Sequence, residues 1–252
     1  RRILTKLTEM KNEYKTLNDD IKIMENIEKY KLRHKKQITS ANDASSYTKL
    51  LAERTIEVLK KNKFIDLSNN LSNKAKIALR MHEVQPLAMA NTLQHFNYFK
   101  DLSADQIAAL LSCFTSLSLS QDDRAFKPNT KNSKLNEITL YLSKELYYFE
   151  KEEKDYAINT GSLFDIHYEM QVPVLEWCKV KTKEEATGIL QSVYDAGVST
   201  GEFVKAILKI NNTALELSRG CEELQEYELQ KKLIEIPHLT LKSIVTPESL
   251  YI

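Results

Sequence analysis

Five polar side chains recur every three or four residues in the stretch Gly201–Leu217: Glu202, Lys205, Lys209, Asn212 and Glu216. At 3.6 residues per turn they fall on one helical stripe. Two ammonium groups and an amide on one face could meet the phosphates or base edges of a nucleic acid. An ordinary solvated helix face carries the same residue types, and spacing alone leaves both readings open. The other side is apolar, with Phe203, Val204, Ile207, Leu208, Ala214 and Leu215 set to pack. Ser199 followed three residues later by Glu202 is a capping-box pattern, which predicts the helix start there. A second candidate is Lys29–Lys36, KYKLRHKK, the densest basic run in the chain. Its Lys31, Arg33, Lys35 and Lys36 could grip nucleic acid or simply solvate a helix tip.

The patterns of catalysis are absent. There is no Gly-rich phosphate loop ending in Lys-Ser/Thr, no acidic Asp-Glu box and no nucleophile elbow. His34, His82, His95, His167 and His238 are scattered without metal-ligand spacing, and no metal site is expected. Cys113, Cys178 and Cys221 are far apart, which fits a reduced intracellular protein, cytoplasmic or nuclear, rather than a disulfide frame. Whether the chain belongs to an enzyme is therefore not decided by these residues.

The positioning elements follow from composition. Of 252 residues, 42% are hydrophobic, while Gly and Pro number only five each, which points to long helices rather than many hairpins. Lys and Arg (36) nearly balance Asp and Glu (35), so polyanion binding would need a local basic patch. No membrane-length apolar run or signal peptide is present, and no membrane partner is expected. The chain opens on Arg1-Arg2 rather than Met, which suggests a piece of something longer.

Residues 1–27 carry a heptad, with Leu7, Tyr14 and Ile21 on one seam position and Ile3, Met10, Leu17 and Met24 on the other. This predicts a helical arm that turns in the polar segment 37–45 and returns antiparallel through Tyr47–Lys60. Phe64–Leu67 suits a short strand, with a second near 71–74, followed by a helix over Lys74–Val84 that Pro86 interrupts. Further helices are predicted over Leu87–Phe99, from the Ser103 cap through ADQIAALLSCF, and over Leu135–Tyr156, whose Tyr147-Tyr148-Phe149 reads as core rather than as a base-stacking surface. Trp177 reads as a buried anchor. Lys183–Tyr194, a turn and the Gly201 helix resemble a helix-turn-helix, a unit that many bundles also contain. Glu222–Ile236 reads as a helix stopped by Pro237, and the apolar terminus Ser249-Leu250-Tyr251-Ile252 as packed.

Three strings carry a resemblance: Ala104–Phe114 (ADQIAALLSCF), Glu176-Trp177-Cys178 and the terminal Ser249–Ile252. In this order and spacing they resemble the C-terminal, DSHCT-type region of exosome-associated, superkiller-type superfamily 2 RNA helicases. The resemblance covers residues 58–252, and residues 1–57 by position only. It implies an all-α fold with three parts: a two-helix arm at 1–57, the base of an arch-like insertion; the returning half of a winged helix at 58–86; and a helical bundle at 87–252.

Gly201–Leu217 matches the ratchet helix, which in that family touches single-stranded RNA leaving two RecA-like motor domains. Glu202, Lys205, Lys209 and Asn212 are then the RNA-binding residues. Lys205 and Lys209 stand where the family usually carries Arg, which keeps the charge and loses the planar fork. Lys63-Phe64 and Lys74-Ala75-Lys76 replace Gly-Phe and Lys-Gly-Arg, so the wing turn must differ. The implied function is the RNA-guiding C-terminal region of an ATP-dependent 3′–5′ RNA helicase. Its ATP and Mg would be bound in upstream RecA-like domains of the same protein, and RNA-decay proteins would be its partners. The competing expectation is a non-enzymatic helical scaffold that binds a protein through the heptad arm.

Overall fold

The computed structural model describes residues 2–14, 16–120 and 124–245, so the expectation for the Ser249–Ile252 terminus lies outside the described residues. The fold is all-α, as the sequence predicts. Among the described residues there are ten α-helices and no strand beyond one antiparallel bridge, Ile65 to Leu71. By contacts the chain divides into two units, 1–55 and 56–252.

The first unit holds α1 (Arg2–Glu13) and most of α2 (Leu17–Lys61). Helix α1 ends at Glu13, and α2 begins at Leu17 and runs unbroken for 45 residues. Segment 37–45 is therefore not a turn. Its Ser, Asn and Asp residues read as turn formers, yet it contains neither Gly nor Pro. Thr39 and Thr48 also return their hydroxyls to the carbonyls of Lys35 (3.1 Å) and Ala44 (2.9 Å), which keeps them compatible with a helix. Asp19 and Asp20 in the first turn and Lys60 and Lys61 in the last complement the helix dipole. The predicted antiparallel pairing with Tyr47–Lys60 does not form, because residues 27 and 47 stand ~30 Å apart along one helix. Ile3, Leu7, Met10, Tyr14, Ile21 and Met24 are all exposed, so the heptad closes on nothing among the described residues. The basic run Lys29–Lys36 lies within α2 rather than at a helix tip.

The second unit begins as α2 ends in a turn through Lys63 (φ 58°). The Ile65–Leu71 bridge follows, closed by Asp66 accepting from the Asn70 N–H at 2.8 Å. Helix α3 (Asn73–Ala78), capped by Ser72, is shorter than the predicted Lys74–Val84. The N–H groups of Leu79, Arg80 and Met81 still bond back to the carbonyls of Ala75, Ile77 and Ala78, and beyond them those of His82 (2.9 Å) and Glu83 (3.2 Å) turn to the Glu216 carboxylate. Pro86 does not interrupt a helix. It opens α4 (Pro86–His95), where its missing N–H costs nothing, and the Gln85 side chain caps that helix.

Helix α4 also stops before the predicted Phe99. Asn97, Tyr98 and Phe99 are left-handed at φ 46°, 54° and 54°. Such residues cost about 1–2 kcal/mol each, and here Phe99 is buried while the Lys232 ammonium donates to the Phe99 and Lys100 carbonyls (3.2 and 2.7 Å).

Six further helices complete the bundle: α5 (Ala104–Leu111), α6 (Ser133–Asp155), α7 (Gln171–Lys179), α8 (Lys183–Asp195), α9 (Thr200–Leu224) and α10 (Tyr227–Thr240). Ser103 caps α5 as predicted, and Gln106 completes a capping box with it. On α6 only Phe149 of the Tyr-Tyr-Phe cluster is core, while Tyr147 is 70% exposed. Pro237 does not end α10. The last turn needs only its carbonyl, which accepts from the Leu241 N–H at 2.9 Å.

Trp177 is the largest fully buried side chain. It meets Phe203 edge to face at 5.1 Å and donates its indole N–H to the Thr240 carbonyl at 2.8 Å, which ties α7, α9 and α10 together. The three cysteines are buried and unpaired. Desolvation pushes the Cys178 and Cys221 thiols up to about 12 and raises that of Cys113 as well.

Helix α9 packs on α10, α3, α5 and α8. Its approach to α3 needs a glycine, since a Cβ on Gly220 would stand 2.8 Å from Ile77 Cγ1 and 3.4 Å from Ile77 Cα. Gly220→Ala is expected to destabilise by about 1–2 kcal/mol, because overpacking outweighs the ~1 kcal/mol helix-propensity gain. That corresponds to a melting temperature about 2–8 °C lower. An unchanged or higher value would show that α3 gives way freely.

Candidate nucleic-acid interface

Helix α9 starts where its capping box predicts. The Ser199 hydroxyl accepts from the Glu202 N–H (3.3 Å), and the Glu202 carboxylate accepts from the Ser199 N–H (3.1 Å). The same carboxylate reaches out of the helix and accepts from the Ser118 N–H at 3.0 Å, holding the 115–119 segment beside the first turn. Hydrogen bonds from Ser118 and then Ser199 lower the Glu202 pKa to about 2. Two turns beyond the lysines, Glu216 is likewise occupied by the His82 and Glu83 backbone.

The buried face is wider than the sequence pattern. Phe203, Val204, Ile207 and Ala214 are buried as expected, but so are Ile210 and Leu217, whereas Leu215 is 52% exposed. The helix packs against four others, α10, α3, α5 and α8, so the buried arc is broader than one apolar stripe.

The polar stripe divides by charge. Both of its carboxylates accept backbone hydrogen bonds, while among the described residues no hydrogen bond or ion pair within the protein engages the ammonium of Lys205 or Lys209. Lys205 is exposed and Lys209 half-buried. Together with Thr115, Ser116, Glu202 and Ala206 they line a hollow of about 190 Å³. Asn212 is exposed further along the same stripe and lies outside that hollow. Lys31, Arg33, Lys35 and Lys36 are exposed on α2 in the first unit.

Ser116 and Lys209 also border a larger cleft of about 430 Å³. It is built from the turn at 81–86, Phe114 and the segment 160–167. His82, Glu83, Asp165 and His167 come together there. Sequence reasoning missed these residues, reading the two histidines as scattered. They are 85 positions apart on irregular segments, where no periodicity exists to link them. The nearest signal was the break around Pro86, which marks one wall.

A family model described as DSHCT (NUC185) domain matches residues 68–247, a span that takes in α3 to α10 and both hollows. No curated protein matches the chain. Among the described residues no helix is long and apolar enough to cross a membrane.

The tie from Glu202 to Ser118 gives a pH dependence with a defined sign. The folded pKa, about 2, lies below the ordinary 4.5. The stabilisation is therefore complete above 4.5 and is lost as pH falls toward 2. In acid titrations followed by circular dichroism, Glu202→Gln is expected to be less stable than the parent at neutral pH, with the gap closing between those two values. A gap that persists at the acid end would remove the carboxylate from this role.

Proposed function

The chain belongs to the DSHCT (NUC185) family, the C-terminal domain of superkiller-type helicases, and on that premise we propose that α9 guides single-stranded RNA for an ATP-dependent 3′–5′ RNA helicase. One observation carries the reading. Of the charged groups on the α9 stripe, the anions are spent on the protein's own backbone and the cations are left to an outside anion. Lys205 and Lys209, one turn apart, meet successive phosphates of a strand that runs along the helix, and Asn212 offers an amide to phosphate or base. Glu202 acts here by placing the 115–119 wall rather than by touching the anionic strand. ATP and its Mg ion are handled by RecA-like domains of the same protein, against which this domain closes, and RNA-decay proteins are further partners. The part of this chain's residues is to hold and orient the strand. Lys31, Arg33, Lys35 and Lys36, exposed on one helix, provide a second electrostatic grip on RNA.

A second reading has its own observation. The exposed Ile3, Leu7, Met10, Ile21 and Met24 of the first unit support a helical scaffold that seats a partner helix. The two readings concern different units and separate experimentally.

Lys209→Ala and Lys205→Ala should each weaken single-stranded RNA binding and reduce the slope of log affinity against log salt by about 0.7, the value for one phosphate contact on a single strand. Stability should change only within the small range typical of surface substitutions, about 0.5 kcal/mol or less. In a protein that also carries the motor domains, both variants should slow unwinding. Parental affinity, slope and unwinding in both variants would leave α9 as packing only.

A further inference from the structure

We propose that the cleft beside Lys209 receives one unstacked base of the guided strand and prefers bases with an exocyclic amino group over uracil. This rests on the RNA-guiding reading and adds a sequence preference to it. The cleft's volume, about 430 Å³, is in the ~300–1,000 Å³ range of small-molecule sites. Its apolar surface comes from Met81, Val84, Pro86 and Phe114, with Leu163, 67% exposed, at the wall formed by 160–167. A flat base covers such surface at little cost, and every base has a face to offer.

The polar lining decides which base. Among the described residues no protein hydrogen bond or ion pair engages the carboxylates of Glu83 and Asp165. This contrasts with Glu202 and Glu216, which the fold has already used. An ionised carboxylate only accepts hydrogen bonds. Adenine and cytosine present exocyclic amino donors to such acceptors, and guanine does so through its own amino group. Uracil presents two carbonyl oxygens, which face the carboxylates with like polarity, and a single imide N–H. Two anions to one cation in the lining also keep the phosphate itself out of the cleft. The phosphate therefore stays at Lys205 and Lys209, and the base is the part of the nucleotide that turns inward. Lys209 borders both hollows and so sits at the junction of backbone and base.

The test uses the 252-residue chain and fluorescent oligo(A), oligo(C) and oligo(U) of equal length at one salt concentration. The parent is expected to bind oligo(A) and oligo(C) about fivefold or more tightly than oligo(U). Combining Glu83→Gln with Asp165→Asn should bring the three affinities within about twofold of one another, since amides donate as well as accept. That variant should melt with the parent. Lys209→Ala should weaken all three ligands alike and so tests the RNA-guiding reading separately. Equal affinities in the parent, or a preference that survives the double substitution, overturn the base pocket even if RNA binds, including the case in which a protein segment fills the cleft. Failure of every oligonucleotide to bind overturns the RNA-guiding reading and the pocket with it.

Discussion

Burial of the Trp177 indole is the interaction on which the rest of the second unit depends. Its ring fills the space between α7 and the start of α9, against Phe203, and its one polar atom is satisfied by the Thr240 carbonyl near the end of α10. Three helices distant in sequence are thereby fixed at one point. Thr240 extends the junction, since its hydroxyl accepts from the Asn211 amide at 2.9 Å on α9. Truncating an indole of this kind costs about 3–5 kcal/mol, a large part of the stability of any domain. The orientation of α9 about its own axis follows. With Phe203 inward and Asn211 held to α10, Lys205 and Lys209 can only point elsewhere.

A second constraint acts on charge rather than shape. Backbone N–H groups in irregular segments must find acceptors, and in two places here the acceptor is a carboxylate carried by α9. The same bonds do two things. They pin the 115–119 and 81–84 segments against the helix, which raises the walls of the hollows. They also occupy the negative charges of the stripe, so the potential along α9 is set by its lysines. The near-neutral composition of the whole chain conceals this local imbalance.

Much of this was legible in the residues. Ser199 and Glu202, the Ser103 cap and the isolated Trp177 each announce their roles by local chemistry, and each is found in place. Local rules failed where two competed. In 37–45, residues fond of turns met a segment without a breaker, and continuity won over 45 residues. At Pro237 the helix had only one more turn to make, so the missing N–H did not stop it. At His82 and Glu83 the backbone's partner, Glu216, is more than a hundred positions away, beyond the reach of any window. The cleft is illegible for the same reason. Its chemistry belongs to the meeting of three segments, and no one of them carries a motif.

The buried thiols have a practical consequence. A thiol whose ionisation is pushed to about 12 offers almost no thiolate at neutral pH, so Cys178 on α7 and Cys221 on α9 resist alkylation in the closed state. Together with Cys113, just beyond α5, they are three silent reporters at different places in one bundle. The speed at which each becomes labelled is then a clock for its own opening. Equal rates would mark the bundle as a single cooperative body, and unequal rates would rank its helices by how readily each lets go.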